Sequence, residues 1–236
     1  MKEVELQTNT TAPVEVDRRD GLEPIANWTT EQMNFFAENN MMIYNWAMQV
    51  SDCNKIIKKF EQVAKFDKTQ VDEFKTGRKN FTEIDIDKYS GPHWEEHKRL
   101  FLGMMKEYRL RFMKNLNIND VDFPPVIDME NIRIKKYMPN DEDEFKVHVD
   151  VVRSMGDSAK RFLVFILYLN DVEEGGHTYF PKTNIYVKPR AGRLLVFPPF
   201  WTHPHAGLKP VSGPKYVMMS YLHYGDAEDP RYKNKK

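Results

Sequence analysis

The sequence predicts an α+β protein in which a double-sheet β domain is backed by helices from the N-terminal half. Three observations carry this. Apolar residues recur at helical spacing in two long segments before about residue 115. After Asn117 the chain breaks into short β-rich runs bounded by Pro, Gly, Asn and Asp. At 236 residues it is long enough for one sizeable core. Helices first and strands later is an α+β order, unlike the regular alternation of a parallel α/β sheet.

Taken in order, residues 1–30 are polar, carry Pro13 and Pro24 and show no sustained period, so they read as an extended or mobile arm. Thr29-Thr30-Glu31-Gln32 offers a cap and an acidic first turn for a helix, or a helix followed by a strand, through MNFFAENNMMIYNWAMQV. In the next segment Ile56, Ile57, Phe60, Val63 and Ala64 fall on one helical face, with Ser51-Asp52 as its candidate cap. Residues 65–91 are charged and turn-rich and read as a loop with a short strand. A second long helix is expected from Pro92 to Asn115, where Leu100, Met104, Tyr108, Leu110 and Met113 keep a period near 3.6. The strands expected beyond are NIRIKKYM, EFKVHVDVV, RFLVFILYLN, NIYVKP, RLLVFPP and KYVMMSYLHY. Residues 31–117 thus read as mainly helical support, and 118–236 as the β core, of a single domain.

Composition narrows the function. Lys+Arg and Asp+Glu balance at 35 each, so no bulk positive charge argues for nucleic acid or an anionic membrane as partner. No apolar run reaches the ~20 residues of a membrane span, and MKEVELQTNT lacks the apolar stretch of a signal peptide; the expected location is cytoplasmic. The single cysteine, Cys53, fits a reducing compartment.

One constellation carries chemistry. In Phe145-Lys146-Val147-His148-Val149-Asp150-Val151 strict alternation puts Lys146, His148 and Asp150 on one strand face, so an imidazole and a carboxylate can converge on one ion. A third histidine follows in Thr202-His203-Pro204-His205, after the apolar run RLLVFP. His203 and His205 share parity, so alternation does not separate them. Two imidazoles, one carboxylate and open positions suit iron(II) oxygen chemistry, and the absence of a thiolate weakens structural zinc.

These residues resemble the 2-oxoglutarate- and iron(II)-dependent dioxygenases, in particular the prolyl 4-hydroxylase-like branch. The resemblance runs from about Ile132 to Tyr224 through His-x-Asp, the Tyr-Leu-Asn-Asp strand end, Gly-Gly-x-Thr-x-Phe-Pro and a distal His followed by Lys ten residues on. It implies a double-stranded β-helix (jelly-roll, cupin-like) core, with residues 31–236 one catalytic domain. His148, Asp150 and His205 would hold Fe(II), His205 being preferred to His203 by its ten-residue spacing to Lys215. Lys215 would pair with the distal carboxylate of 2-oxoglutarate, while Tyr137 would reach the cosubstrate or the metal region and Tyr168 would donate to the cosubstrate carboxylate. O2 is the third reactant, and ascorbate is a further cofactor that the branch brings with it. Retention of Asp150 favours hydroxylation over halogenation.

The resemblance makes a prolyl residue of a peptide or protein the best single substrate, with another residue or a small molecule as the alternative. Arg133 and Lys135 share Tyr137's strand face and are candidates for binding a polar or acidic substrate, although solvated cations are the plainer reading. His177 stands where acidic residues are frequent in the family and is either a substrate-side or a surface residue. A monomer or a homodimer is equally compatible. The competing enzyme reading is a zinc peptidase through His93-Trp94-Glu95-Glu96-His97, an H-x-x-E-H pattern with no clear third ligand.

Overall fold

The computed structural model describes residues 29–88, 94–152 and 155–226, together with the backbone of Val14–Val16. Most of the polar N-terminal arm, and His93 of the H-x-x-E-H pattern, lie outside the described residues. In chain order the elements are β1 Val14–Val16, α1 Thr30–Glu38, β2 Met42–Tyr44, α2 Val50–Phe66, β3 Asp72–Lys75, β4 Asn80–Asp85 and α3 Glu95–Asn115. They continue with β5 Ile127–Met129, β6 Arg133–Tyr137, β7 Phe145–His148, β8 Arg161–Tyr168, β9 Thr178–Phe180, β10 Ile185–Val187, β11 Leu194–Phe197, β12 His205–Gly207 and β13 Lys215–Tyr224.

Two sheets form the expected double-stranded β-helix. The smaller runs β1-β10-β9-β12-β7, and the larger β2-β11-β8-β13-β6-β4-β3 with β5 paired to β13. They face each other across a shared core, as in the edge-to-face contact of Phe180 on β9 with Phe197 on β11, ring centroids 4.9 Å apart. The N-terminal half does more than support this sandwich. β2, β3 and β4 belong to the larger sheet, so the sheet draws strands from both sides of residue 117.

Period-two alternation sorts the larger sheet into two faces. On β13, Lys215, Val217, Met219 and Tyr221 point between the sheets. Tyr216, of the opposite parity, packs on Phe60 of α2 and donates its hydroxyl to Glu61. On β6, Lys135 and Tyr137 face inward while Lys136 turns out to Glu61 at 2.7 Å. The helices therefore cover the back of the larger sheet and leave its front to the site. The described residues include no helix long and apolar enough to cross a membrane.

Local signals explain the boundaries. Thr29 and Gln32 form a reciprocal capping box on α1. Helix α2 starts at Val50, before the candidate cap Ser51-Asp52, so Asp52 acts in the first turn instead, where it pairs with Lys55 at 2.7 Å. The charged stretch read as a loop with one strand is a two-strand hairpin, β3–β4. Cys53 is buried and forms no disulfide among the described residues.

Candidate metal centre and cosubstrate pocket

Strand β7 carries His148 and pairs with β12 so that His148 lies opposite His205. The pairing then slips. Gly207 is opposite Phe145, which leaves two residues of β7 against one of β12, the pattern of a β-bulge. Strict alternation through residues 145–151 therefore fails. Phe145 comes to the site side, where its ring stacks on His148 with centroids 3.4 Å apart, and Lys146 and Val147 are exposed. The strand ends at His148, and Asp150 is placed by other means: its N–H donates to Pro199 O at 3.2 Å, and its carbonyl accepts from Arg161 at 3.1 Å.

Three ligand-type side chains converge. The Nε2 atoms of His148 and His205 lie 3.3 and 3.6 Å from the two Asp150 carboxylate oxygens. Ligand atoms about 2.1 Å from one ion stand about 3.0 Å apart at 90° and about 3.4 Å apart at 109°, so the spacing suits ligands of one shared ion. Each imidazole donates Nδ1–H to a main-chain carbonyl, His148 to Lys146 at 2.8 Å and His205 to His203 at 3.1 Å. That tautomer turns the Nε2 lone pair to the centre. Asp150 Oδ2 is buried with no hydrogen-bond partner. An orphan carboxylate oxygen between two bare imidazole nitrogens fits a divalent cation. Burial pushes the Asp150 carboxyl up, but His205 and His148 outweigh it and hold it at about 2. Burial pushes His205 down to about 4, which leaves its nitrogen unprotonated at neutral pH.

His203 does not join this group. Its Nε2 reaches Asn39 O at 2.8 Å at the end of α1, and its Nδ1 meets Thr202 Oγ1 at 2.8 Å. His203→Ala should lower thermal stability by about 1 kcal/mol, or about 2–4 °C. It should leave metal affinity far closer to wild type than the 10- to 100-fold loss expected of a true outer-shell partner. Calorimetric unfolding and a Mn(II) titration measure the two quantities.

Beside the trio, Lys215 is buried with no carboxylate partner among the described residues. Its Nζ donates to Gly176 O at 3.0 Å and Leu208 O at 3.3 Å and lies 4.3 Å from the Tyr137 ring centroid. Gly175 and Gly176 adopt φ of +71° and +73°, and this turn brings the Gly176 carbonyl to the lysine. Burial pushes the ammonium down to about 7. A Cβ at Gly207 would stand 3.6 Å from Lys215 Nζ and 3.7 Å from the Tyr137 hydroxyl, so glycine keeps this floor clear.

Tyr168 is one step removed from the expected position. Its hydroxyl is spent on Thr178 Oγ1 at 2.6 Å, and Thr178, not Tyr168, lines the pocket. Since Thr178 accepts that bond, its own hydroxyl hydrogen is free for an anion. The sequence signal for this threonine is its place in Gly-Gly-x-Thr.

Residues 132–223 match the 2OG-Fe(II) oxygenase superfamily. The match spans 92 of the chain's 236 residues. An Acanthamoeba polyphaga mimivirus protein whose name proposes a prolyl 4-hydroxylase is 34% identical over 112 residues, 39% of this chain and 44% of that relative, so the chain spans under half of the relative's length. Two solved structures share the fold. The viral collagen prolyl hydroxylase of Paramecium bursaria Chlorella virus-1, as its 2OG complex, aligns over 79% of this chain and 97% of its own with TM-score 0.57 and 16% identity. A Trichoplax adhaerens prolyl hydroxylase bound to a hypoxia inducible factor peptide aligns over 87% and 94% with TM-score 0.58 and 14% identity.

The cations on β6 are paired rather than solvated. Arg133 donates to Glu130 at 2.6 Å and lies 3.6 Å from Glu83, which also lies 3.6 Å from Lys135. His177 packs edge-on against Tyr186 and lines neither the metal pocket nor the cleft outside it. As for H-x-x-E-H, His97 is buried against Trp94 while Glu96 is exposed, so the two face different surroundings.

One network was not legible beforehand. Glu130 accepts from Arg161 Nε and Nη2, each at 2.6 Å, as well as from Arg133 and His223, and Arg161 Nη1 in turn holds the Asp150 carbonyl. Burial pushes the Glu130 carboxyl up, but His223 and the two guanidinium groups outweigh it and hold it far below the usual range. Glu130→Ala should cost about 3–5 kcal/mol because it strands buried cations. The folded pKa is depressed, so Glu130's contribution is fully present above its unfolded pKa and is lost progressively as pH falls from that value toward the much lower folded one. The wild-type minus Glu130→Ala stability difference, measured by urea unfolding from pH 7 to 3, should therefore shrink with acid.

Proposed function

We propose that His148, Asp150 and His205 hold iron(II), that Lys215 and Thr178 hold the distal carboxylate of 2-oxoglutarate, and that the chain hydroxylates a prolyl residue of a peptide or protein. The observation that carries this reading is the His148-Asp150-His205 cluster, whose ligand atoms all lie within 4.8 Å of one another beside a buried lysine that lacks a carboxylate. The match of residues 132–223 to the superfamily and the names of the relatives support the peptidyl substrate.

Bound there, iron(II) with 2-oxoglutarate supplies oxygen activation, and the protein supplies geometry and a dry cavity. Asp150 and the two imidazoles would hold the ion by three donors, a ligand set suited to iron(II) oxygen chemistry. Phe145 fixes the His148 ring, and the Nδ1 bonds keep both Nε2 lone pairs in place. Lys215 places a positive charge where the distal carboxylate arrives, in surroundings where a charge-assisted bond is worth about 1.5–3 kcal/mol. Tyr137 walls the pocket beside that ammonium, and Tyr168 orients Thr178 toward the same carboxylate. Residues 31–236 act as one catalytic unit in this reading, because the helices brace the face of the larger sheet opposite the pocket.

The test is mass spectrometry of proline-containing peptides and free amino acids after incubation with iron(II), 2-oxoglutarate and O2. The expected product is a prolyl residue heavier by one oxygen, with one succinate released per product. Succinate coupled to a product on another residue or on a small molecule would overturn the prolyl assignment and keep the oxygenase.

A further inference from the structure

Outside the metal pocket a wider cleft opens between the β3–β4 hairpin and the end of β7. Phe74, Arg78 and Lys79 of the hairpin, Lys135 of β6, Val152 and Arg161 line it, and it shares Lys135, His148 and Asp150 with the inner pocket. A molecule lying in this cleft therefore presents its buried end to the metal side.

Charge is unbalanced here. The carboxylates of Glu83, Asp85 and Glu130 are taken up by Arg133, Lys135 and Arg161. Asp150 faces the ion. Arg78 is exposed and makes no ion pair among the described residues, and Lys79 sits only over the Phe74 ring at 3.7 Å. The acidic run at 141–144 passes beside the hairpin, where Glu144 O accepts from Asn80 N and Glu142 O from Asn80 Nδ2, but none of its residues lines the cleft.

The two cations are also held in place. Arg78 O accepts from Lys146 N at 2.8 Å, and Lys79 bridges to Phe145, so the hairpin is fastened to the strand that carries His148. We propose that this cleft selects a substrate peptide with aspartate or glutamate flanking the reacting residue, with Arg78 and Lys79 as the partners of those carboxylates at the mouth. Apolar walls from Phe74, Phe81 and Val152 cover the peptide between its charged contacts. The proposal rests on the hydroxylase reading and names its substrate class.

The experiment uses three labelled peptides of equal length around one proline, with acidic, neutral or lysine flanks, and reads binding by fluorescence anisotropy at low and high salt. The acidic peptide should bind about tenfold tighter than the neutral one at low salt and lose that advantage at high salt. Arg78→Glu with Lys79→Glu should transfer the preference to the lysine peptide; Arg78→Gln with Lys79→Gln should abolish it, and unfolding midpoints report whether each pair is folded. Equal binding of all three peptides, or a preference that survives both pairs of substitutions, overturns the proposal. Hydroxylation is followed on the same peptides. An acidic preference in binding with no hydroxylation of any peptide supports the cleft and overturns the hydroxylase reading; hydroxylation indifferent to flanking charge does the reverse.

Discussion

Asp150→Ala should remove iron(II)-dependent consumption of 2-oxoglutarate by well over the ~100-fold that loss of an outer-shell partner costs a metal site. The carboxylate supplies the only oxygen of the trio, and its Oδ2 has no other bond to make. The fold should survive, because Asp150 is anchored through its main chain by Pro199 and Arg161, and both bonds outlast the side chain. A readout apart from turnover follows from linkage. An ion at about 100 times its Kd stabilises the wild type by about 2.7 kcal/mol, or roughly 5–10 °C for a chain of this size. In Asp150→Ala that shift should vanish, as measured by thermal unfolding with and without Mn(II). A metal-induced shift equal to wild type would place the ion elsewhere.

Lys215→Met should raise the KM for 2-oxoglutarate by about 10- to 150-fold, the equivalent of a charge-assisted bond of about 1.5–3 kcal/mol. It should also make the ligand-free protein more stable. The lysine is buried without a carboxylate, and burial lowers its pKa from 10.5 to about 7. Between those values the unfolded chain holds a proton that the folded chain has shed, so wild-type stability climbs with pH through that window. Below about pH 7 the folded protein carries the full cost of the buried charge, and there the methionine variant should gain most. The same titration predicts that wild-type affinity for 2-oxoglutarate weakens as pH rises above about 7. Substrate-dependence assays from pH 6 to 9 and thermal unfolding of both proteins check the pair of effects; an unchanged KM would remove Lys215 from the cosubstrate site.

Residues with strong periodicity were readable in advance. β8 and β13 announce themselves as long apolar runs, and α2 and α3 by their apolar faces. β5, β9 and β12 are three residues each, too short for a period, and become strands only through partners distant in sequence. The β3–β4 hairpin hides in a charged segment because one of its faces lines a polar cleft. Within the site, His-x-Asp and the distal histidine with its lysine were visible as residue types at a spacing. The bulge that turns Phe145 onto His148, the handing of Tyr168's hydroxyl to Thr178, and the Glu130–Arg161 hold on Asp150 all depend on register between strands, which no single segment encodes.

The most direct test of the centre itself is iron(II) titrated anaerobically into the wild type and the two histidine variants by calorimetry. One ion per chain in the wild type and in His203→Ala, with binding lost in His205→Ala, is the predicted result. Unchanged affinity in His205→Ala, with loss in His203→Ala, would contradict it.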